Sequence, residues 1–494
     1  MKLVNYECNS SAIHNAVFVL MWILVLPTHS VIAQQLLWQR VFDTGVSELA
    51  KGIAVDSWGN IIVTGRSSRE ASGGDCLTIK YNPNGDTIWT RWYDSTFYDG
   101  ANAVAVDGSG NVIIAGDIRT DSTNADIHIV KYDPNGNILW TRTYSNGEKD
   151  VGEFGYGVAV DSKDNIIVTG QAYYNWGDYI TIKYDSSGNL LWVRTYDGGW
   201  EDCAQDVAVD DSNNVIVTGY SNGDMNWDWC TIKYNLYGDK IWVRRHDIGL
   251  DDKADGVTCD KDGNVVVVGR LGQSPEKYAS IVKYSAAGDT LWIKLFPRID
   301  TLDGLMNFTD VAADGYGNIY TAGLFVLWDS GKDWRDYYIA KFNPQGDTLW
   351  TTLCDINWKD EPSGIALDSV DNIIVTGTTR ADLFGFDYFT VKLHNAINGV
   401  SEENVAPRCF FLHHNYPNPF NAATTIAYDV PYSASINIKV YDLLGRELSI
   451  LVDEYKHPGS YHTVWDASRF ASGVYVVQLV TGRFFARQKL MLAK

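Results

Sequence analysis

The sequence predicts an all-β chain: a seven-bladed β-propeller closed by an N-terminal strand, followed by a small Ig-like antiparallel β-sandwich. Three observations carry this. A phrase such as GIAVDSWGNIIVTG (Gly52 to Gly65) occurs in seven copies, with anchor acids Asp56, Asp107, Asp161, Asp210, Asp260, Asp314 and Asp368 lying 49 to 54 residues apart. A period of that size is characteristic of propellers. Each copy holds four short apolar runs separated by turn residues, the pattern of four antiparallel strands. Finally, the octet LLWQRVFD (Leu36 to Asp43) reproduces the end of a copy before any copy has begun.

Within one copy the first strand, IAV, ends at the anchor Asp, and a D-x-x-G-N turn supplies the Gly and Asn suited to positive φ. IIVTG is the second strand. The third, as in LTIKY, carries Lys80, Lys131, Lys183, Lys233, Lys283, Lys341 or Lys392. An N-P-N-G-D type of turn leads to the fourth, marked by Trp89, Trp140, Trp192, Trp242, Trp292 or Trp350. After Lys392 no fourth strand follows, so Trp38 of the octet supplies it. The N-terminal strand thereby closes the ring and removes free sheet edges.

The apolar run AVFVLMWILVLP (Ala16 to Pro27) is too short to span a bilayer stably and reads as the core of a signal peptide over residues 1–33. The propeller is assigned to 34–395, a polar linker to 396–410 and the sandwich to 411–494. Of seven cysteines, six lie outside the leader at irregular spacing, and buried thiols are expected rather than a disulfide framework. The formal net charge is −21. Residues 34–400 hold 30 bases and 52 acids, a body that repels polyanions, so nucleic acid is excluded as a partner.

Positions that recur in every copy read as scaffold, and positions that differ read as site. The anchor acids fit Asx-type turns, and the third-strand lysines require partners, expected between blades. No cofactor or metal is expected. Calcium at the D-x-x-G-N turns is the alternative, and those turns are too short for an EF-hand loop. Glu48, Asp99, Glu153, Asp202, Asp252 and Asp360 stand eight residues before their anchors, with Met306 breaking the set. They are expected near one mouth of the channel, as a cation-attracting ring or as acceptors that tie down loops. The loops between second and third strands place Tyr173, Trp176, Trp227, Trp328, Trp334 and Phe386 on that same face. Aromatics beside carboxylates suit glycans or peptides, and caps on the blade ends are the competing reading. No catalytic motif is legible: the propeller holds His128, His246 and His394 and none of the usual nucleophile, zincin or phosphate-loop patterns.

The seven copies resemble the SBBP-type β-propeller repeats of secreted bacterial proteins, and their G-D-T-L-W turn is similar to that of quinoprotein dehydrogenase blades. Those enzymes close with eight blades and carry an adjacent-cysteine pair, which this chain lacks. The C-terminal series NYPNPFN, TTIAYDVP, INIKVYDLLGREL, GSYHTVWDAS, SGVYVVQLVTG and KLMLAK closely resembles the C-terminal sorting domain of type IX secretion cargo in Bacteroidetes-like bacteria. That resemblance implies recognition by the type IX machinery, then release or attachment at the outer-membrane cell surface. The reading is a secreted or surface-displayed monomeric binding module. An extracellular polysaccharide hydrolase or lyase, and a passive adhesive protein, are the alternatives.

Overall fold

The computed structural model describes residues 36–395 and 410–494, apart from short stretches within connecting loops. The proposed leader, nearly all of the linker, and Cys409 lie outside the described residues. Strands and turns alone make up the described residues.

Strand β1 spans Leu36–Phe42. Strands β2 to β5 are Glu48–Val55, Ile61–Ser67, Asp75–Tyr81 and Thr87–Tyr93, and β6 to β9 are Tyr98–Val106, Val112–Arg119, Ala125–Tyr132 and Ile138–Tyr144. Strands β10 to β13 are Glu153–Val160, Ile166–Ala172, Asp178–Tyr184 and Leu190–Tyr196, and β14 to β17 are Asp202–Val209, Val215–Asn222, Trp227–Tyr234 and Lys240–His246. Strands β18 to β21 are Lys253–Cys259, Val265–Leu271, Tyr278–Tyr284 and Thr290–Pro297. Strands β22 to β25 are Gly304–Ala313, Ile319–Asp329, Lys332–Phe342 and Thr348–Cys354, and β26 to β28 are Lys359–Leu367, Ile373–Arg380 and Asp387–Leu393.

Each of the first five sets is a four-stranded antiparallel sheet in chain order. The sets β22 to β25 and β26 to β28 are joined by parallel pairing of Arg335 with Lys359. β1 pairs antiparallel with β28, Trp38 opposite Lys392 and Phe42 opposite Tyr388. The first strands of the sets lie side by side in succession, β2, β6, β10, β14, β18, β22 and β26, and β26 in turn lies against β2.

Neighbours on both faces explain why second strands read as unbroken apolar runs. Ile61, Ile62 and Val63 are all fully buried, each stabilising the fold by roughly 1.5–3 kcal/mol through removal from water. In the turn after each anchor acid the fourth position has positive φ: Gly59, Gly110, Gly263 and Gly317 at 73 to 81°, and Asp164, Asn213 and Asp371 at 60 to 62°. Only Asp and Asn replace Gly there, as left-handed geometry demands. The following Asn does not adopt positive φ. It donates Nδ2 to the anchor carboxylate instead, as Asn60 does to Asp56 Oδ2 at 2.8 Å.

The same carboxylate oxygen receives the third-strand lysine of its own sheet: Lys80 to Asp56 at 2.9 Å, Lys131 to Asp107 at 2.8 Å, and likewise Lys183–Asp161, Lys233–Asp210, Lys283–Asp260 and Lys392–Asp368. The ion pairs therefore lie within sheets, not between them. What crosses between sheets is a second bond from the lysine to a turn carbonyl of the next set, Lys80 to Pro134 O and Lys131 to Ser186 O. The fourth-strand Trp and Arg grip that same turn: Trp89 Nε1 donates to Pro134 O at 3.0 Å and Arg91 Nε to Gly136 O at 2.7 Å. β1 does the same to the first sheet, with Trp38 bonded to Pro83 O at 2.9 Å and Arg40 to Gly85 O at 2.7 Å.

The C-terminal unit comprises β29 (Phe411–Leu412), β30 (Ala423–Val430), β31 (Ala434–Tyr441), β32 (Glu447–Lys456), β33 (Gly459–Asp466), β34 (Gly473–Thr481) and β35 (Phe484–Leu492). β29, β30 and β33 form one sheet, and β32, β31, β34 and β35 the other. Ile426, Tyr428 and Trp465 of the first share a buried core with Ile438, Val477 and Leu490 of the second.

Candidate functional site

Both the loops joining second to third strands and the loops leading from one set to the next emerge at the same end of the sheets, as pairing of Glu48 with Ser67 and of Ser67 with Asp75 places them. The six acids expected at a channel mouth stand here, but they are not a solvent-lining ring. Glu48, Glu153, Asp202, Asp252 and Asp360 are fully buried, and Asp99 is 1% exposed. Their oxygens hold loop groups. Asp202 Oδ2 accepts from Gly198 N at 2.5 Å, Asp252 Oδ1 from Gly272 N at 2.7 Å, Asp360 Oδ2 from Asn357 N at 3.1 Å and Glu153 Oε1 from Asn146 N at 3.3 Å. Glu48 accepts from the Thr44 hydroxyl, and Asp99 N donates to Gly74 O at 2.9 Å. Burial pushes the Glu153 carboxyl up to about 7, with Asp126 adding repulsion.

Of the six predicted aromatics, Trp176 is 61% exposed and Tyr173 38%. Trp227 is half-buried beneath an ammonium: Lys253 Nζ lies 3.7 Å from its ring centre and 4.0 Å from that of Tyr220. Trp334 and Phe386 are half-buried, the latter under the Arg380 guanidinium at 5.1 Å. The Trp328 side chain lies outside the described residues.

The structure gathers Tyr173, Trp176 and Trp227 around residues that sequence reasoning missed. Trp200, 57% exposed, faces Trp176 at 5.5 Å between ring centres. Phe154 meets Tyr173 edge-on at 5.9 Å and stacks on Tyr156 at 6.4 Å. At the centre of this group is Glu201: its Oε1 accepts from Tyr220 OH at 3.5 Å, and its charge acts on Tyr156, Tyr173 and Lys253. Trp200 and Glu201 immediately precede β14, in a loop from the third set to the fourth. The GGWED stretch that carries them was the signal available.

Other carboxylates occupy the first strands. Each first strand is irregular at one or two points, as between Ala50 and Gly52 and between Ala204 and Asp206. Just beyond the irregularity, Asp206 accepts from Val207 N and from Val257 N of the next set, both at 2.8 Å. Asp310 likewise accepts from Val311 N at 2.7 Å and Ile365 N at 2.8 Å. Burial raises both, Asp206 to about 6 and Asp310 to about 8, the latter further by repulsion from Asp206. Asp255 is raised to about 6 by burial, against the pull of Arg270. Among histidines, burial pushes His128 down to about 4, where it is neutral and poorly placed as a proton shuttle near pH 7.

At the opposite end, a groove of about 530 Å³ lies between β1 and the first sheet, lined by Leu37, Trp58, Pro83 and Val370. Its polar groups Lys392 and Asp368 are paired with each other at 2.8 Å. The Trp176–Trp200 end thus offers the richer set of exposed groups.

Residues 414–493 match the family model of the secretion system C-terminal sorting domain. This tail indicates export, to the medium or to the cell surface, and implies interaction with the type IX machinery. Part of the chain is similar to the uncharacterized WD repeat-containing protein L264 of Acanthamoeba polyphaga mimivirus, 28% identical over 189 residues, which is 34% of this chain and 11% of that protein. Among solved structures, polysaccharide lyase Uly1 is 10% identical with a TM-score of 0.44, covering 71% of this chain and 90% of the lyase. The β-propeller domain of the Trilobed protease from Pyrococcus furiosus, described as an open velcro topology, is 9% identical with a TM-score of 0.41, covering 70% of this chain and 97% of that domain. Among the described residues no helix is long and apolar enough to cross a membrane. The chain thus carries a secretion system C-terminal sorting domain at residues 414–493 behind an all-β body of successive antiparallel sheets.

Proposed function

We propose that this is a secreted or surface-displayed binding module in which residues 34–395 form a seven-bladed β-propeller closed by β1. In this reading residues 1–33 are removed as a signal peptide, and the linker 396–410 leads to a sandwich, 411–494, that addresses the chain to the type IX machinery. The pairing of β1 with β28, its grip on the Pro83 turn, and the contact of β26 with β2 support closure. The kinship to SBBP repeats rests on the sequence phrases alone.

The ligand class is an extracellular glycan. One observation carries this: Trp176 and Trp200 stand exposed beside each other, continuous with Tyr173, Glu201 and Tyr220. Exposed indole faces stack on the apolar face of a sugar ring, and a carboxylate beside them bonds its hydroxyls. Two adjacent solvent-facing tryptophans make a contiguous apolar patch of the kind that marks an interaction site. Glycan arrays probed with the full chain test this, with peptide arrays as the competing arm. Binding to neither favours a passive adhesive protein.

A second reading, an extracellular polysaccharide hydrolase or lyase, draws on Asp206 and Asp310, neighbouring carboxyls with raised affinity for protons. Each already accepts two backbone N–H groups, which gives them a complete structural role. Loss of polysaccharide cleavage in Asp310→Asn, with folding intact, would favour this reading over the first.

A further inference from the structure

Asp178 is the first residue of β12, Asp197 follows β13, and Asp202 is the first residue of β14. The first two belong to one sheet and the third to the next. Their carboxylates converge so that one oxygen from each lies within 4.8 Å of the others. The same three places at the seam hold Asp387 at the start of β28, Asp43 after β1 and Glu48 at the start of β2, again within 4.8 Å of one another.

We propose that these two clusters are calcium sites that bind adjoining sheets together, one between the third and fourth sets and one where the N-terminal strand meets the first.

Two observations beyond the acidity point to a cation. Asp202 and Glu48 are fully buried, and among the described residues neither Asp202 Oδ1 nor Glu48 Oε2 has a hydrogen-bond partner of ordinary geometry, the Ser221 hydroxyl acting on Asp202 from nearby. A buried carboxylate oxygen without a partner bears the full penalty of leaving water, and each belongs to a residue of its cluster. The second is that the local cation does not fill the site: Arg245 is engaged by Asp228 Oδ2 at 3.1 Å and by Ser221 O at 3.1 Å.

The geometry suits a hard ion with long bonds. Calcium bonds oxygen at about 2.3–2.6 Å, so two oxygens on one ion stand at most about 5 Å apart, and it accepts flexible sets completed by water and backbone carbonyls. Magnesium needs shorter bonds and a near-ideal octahedron. The arrangement recurs in sequence: Asp75/Asp94/Asp99, Asp228/Asp247/Asp252 and Asp336/Asp355/Asp360 occupy equivalent places, and among the described residues it is the two clusters named whose carboxylates converge within 4.8 Å.

The test uses the full chain stripped with EDTA, then given calcium alone or magnesium alone at about 1 mM, the range of extracellular calcium modules. Bound ions are counted by equilibrium dialysis and thermal unfolding is recorded. Calcium is expected to bind and to raise Tm by at least about 3 °C. Asp178→Asn with Asp197→Asn is expected to bind one ion fewer and, without calcium, to melt at or above the wild-type temperature because repulsion is relieved. Asp197→Asn alone, at an exposed position, serves if the double variant does not fold. No bound calcium, an equal response to magnesium, or a variant that melts lower while keeping its full complement of ions would overturn the proposal and leave the carboxylates as loop ties only.

Discussion

Lys341 Nζ donates to the side chain of Asn395 at 3.1 Å, a place that a turn carbonyl fills in other sets. Asn395 Nδ2 in turn donates to Tyr320 OH at 2.7 Å, and Tyr320 OH to Asp314 Oδ2 at 2.9 Å. Tyr320 stands where other second strands carry Ile or Val, and it interposes between Lys341 and the anchor acid. The reason is topological: the last set takes its fourth strand from β1, so β28 does not lead into a fourth strand of its own through the turn that offers a carbonyl in other sets. Asn395 supplies that acceptor.

Asn395→Ala should therefore destabilise by about 1–3 kcal/mol, the cost of leaving a buried donor unsatisfied, measured by denaturant unfolding. A loss below a few tenths of a kcal/mol would mean that water or another group replaces it.

The within-sheet ion pairs give a larger effect. Lys183 and Asp161 are both almost wholly buried, and Lys183→Met leaves the Asp161 carboxylate without its ammonium. A loss of about 3–5 kcal/mol is expected. Because bonds from Lys183 and Asn165 outweigh burial and hold Asp161 below the usual carboxylate range, its contribution in the wild type disappears only as pH falls below that range. The variant should show a weaker acid dependence there.

Removing Gln35 to Asp43 strips β28 of its partner and the first sheet of Trp38 and Arg40. Cooperative unfolding should be lost or split into separate transitions in calorimetry. A single transition at the wild-type temperature would show that β1 is dispensable for closure.

Asp310 sets a pH dependence of opposite sign. Its carboxyl is raised to about 8 by burial and by Asp206, against about 3.9 in an unfolded chain. The protonated form is the one the fold prefers, so its contribution is fully present below about pH 4 and is lost as pH rises to about 8. Asp310→Asn should flatten the decline of Tm across that window. A profile parallel to the wild type would show that the carboxyl titrates normally.

Much of the scaffold is legible in the sequence because it repeats. The Asp–Lys phrase, the Trp-bearing strand and the octet at Leu36 are local patterns that recur, and the sheets form where they predict. The lysine partners are not legible: Lys80 and Asp56 are 24 residues apart, and only the sheet order puts β4 beside the turn before β3. The acids at the strand starts mislead for a similar reason, since whether Glu153 faces water depends on the loop folded over it. Trp200 and Glu201 escape notice because the cluster they complete is built from three sets and has no signature within any one of them. The aromatics Tyr173, Trp176 and Trp227 are visible because their loops differ from copy to copy.

The binding account stands or falls on one pair of residues. Trp176 and Trp200 are exposed and touch only at the surface, so Trp176→Ala with Trp200→Ala should leave Tm within about 1 °C. Titration calorimetry of this variant against the best glycan from an array should show at least a tenfold weaker Kd, about 1.4 kcal/mol, in keeping with lost aromatic stacking. Unchanged affinity in the folded variant would contradict the account.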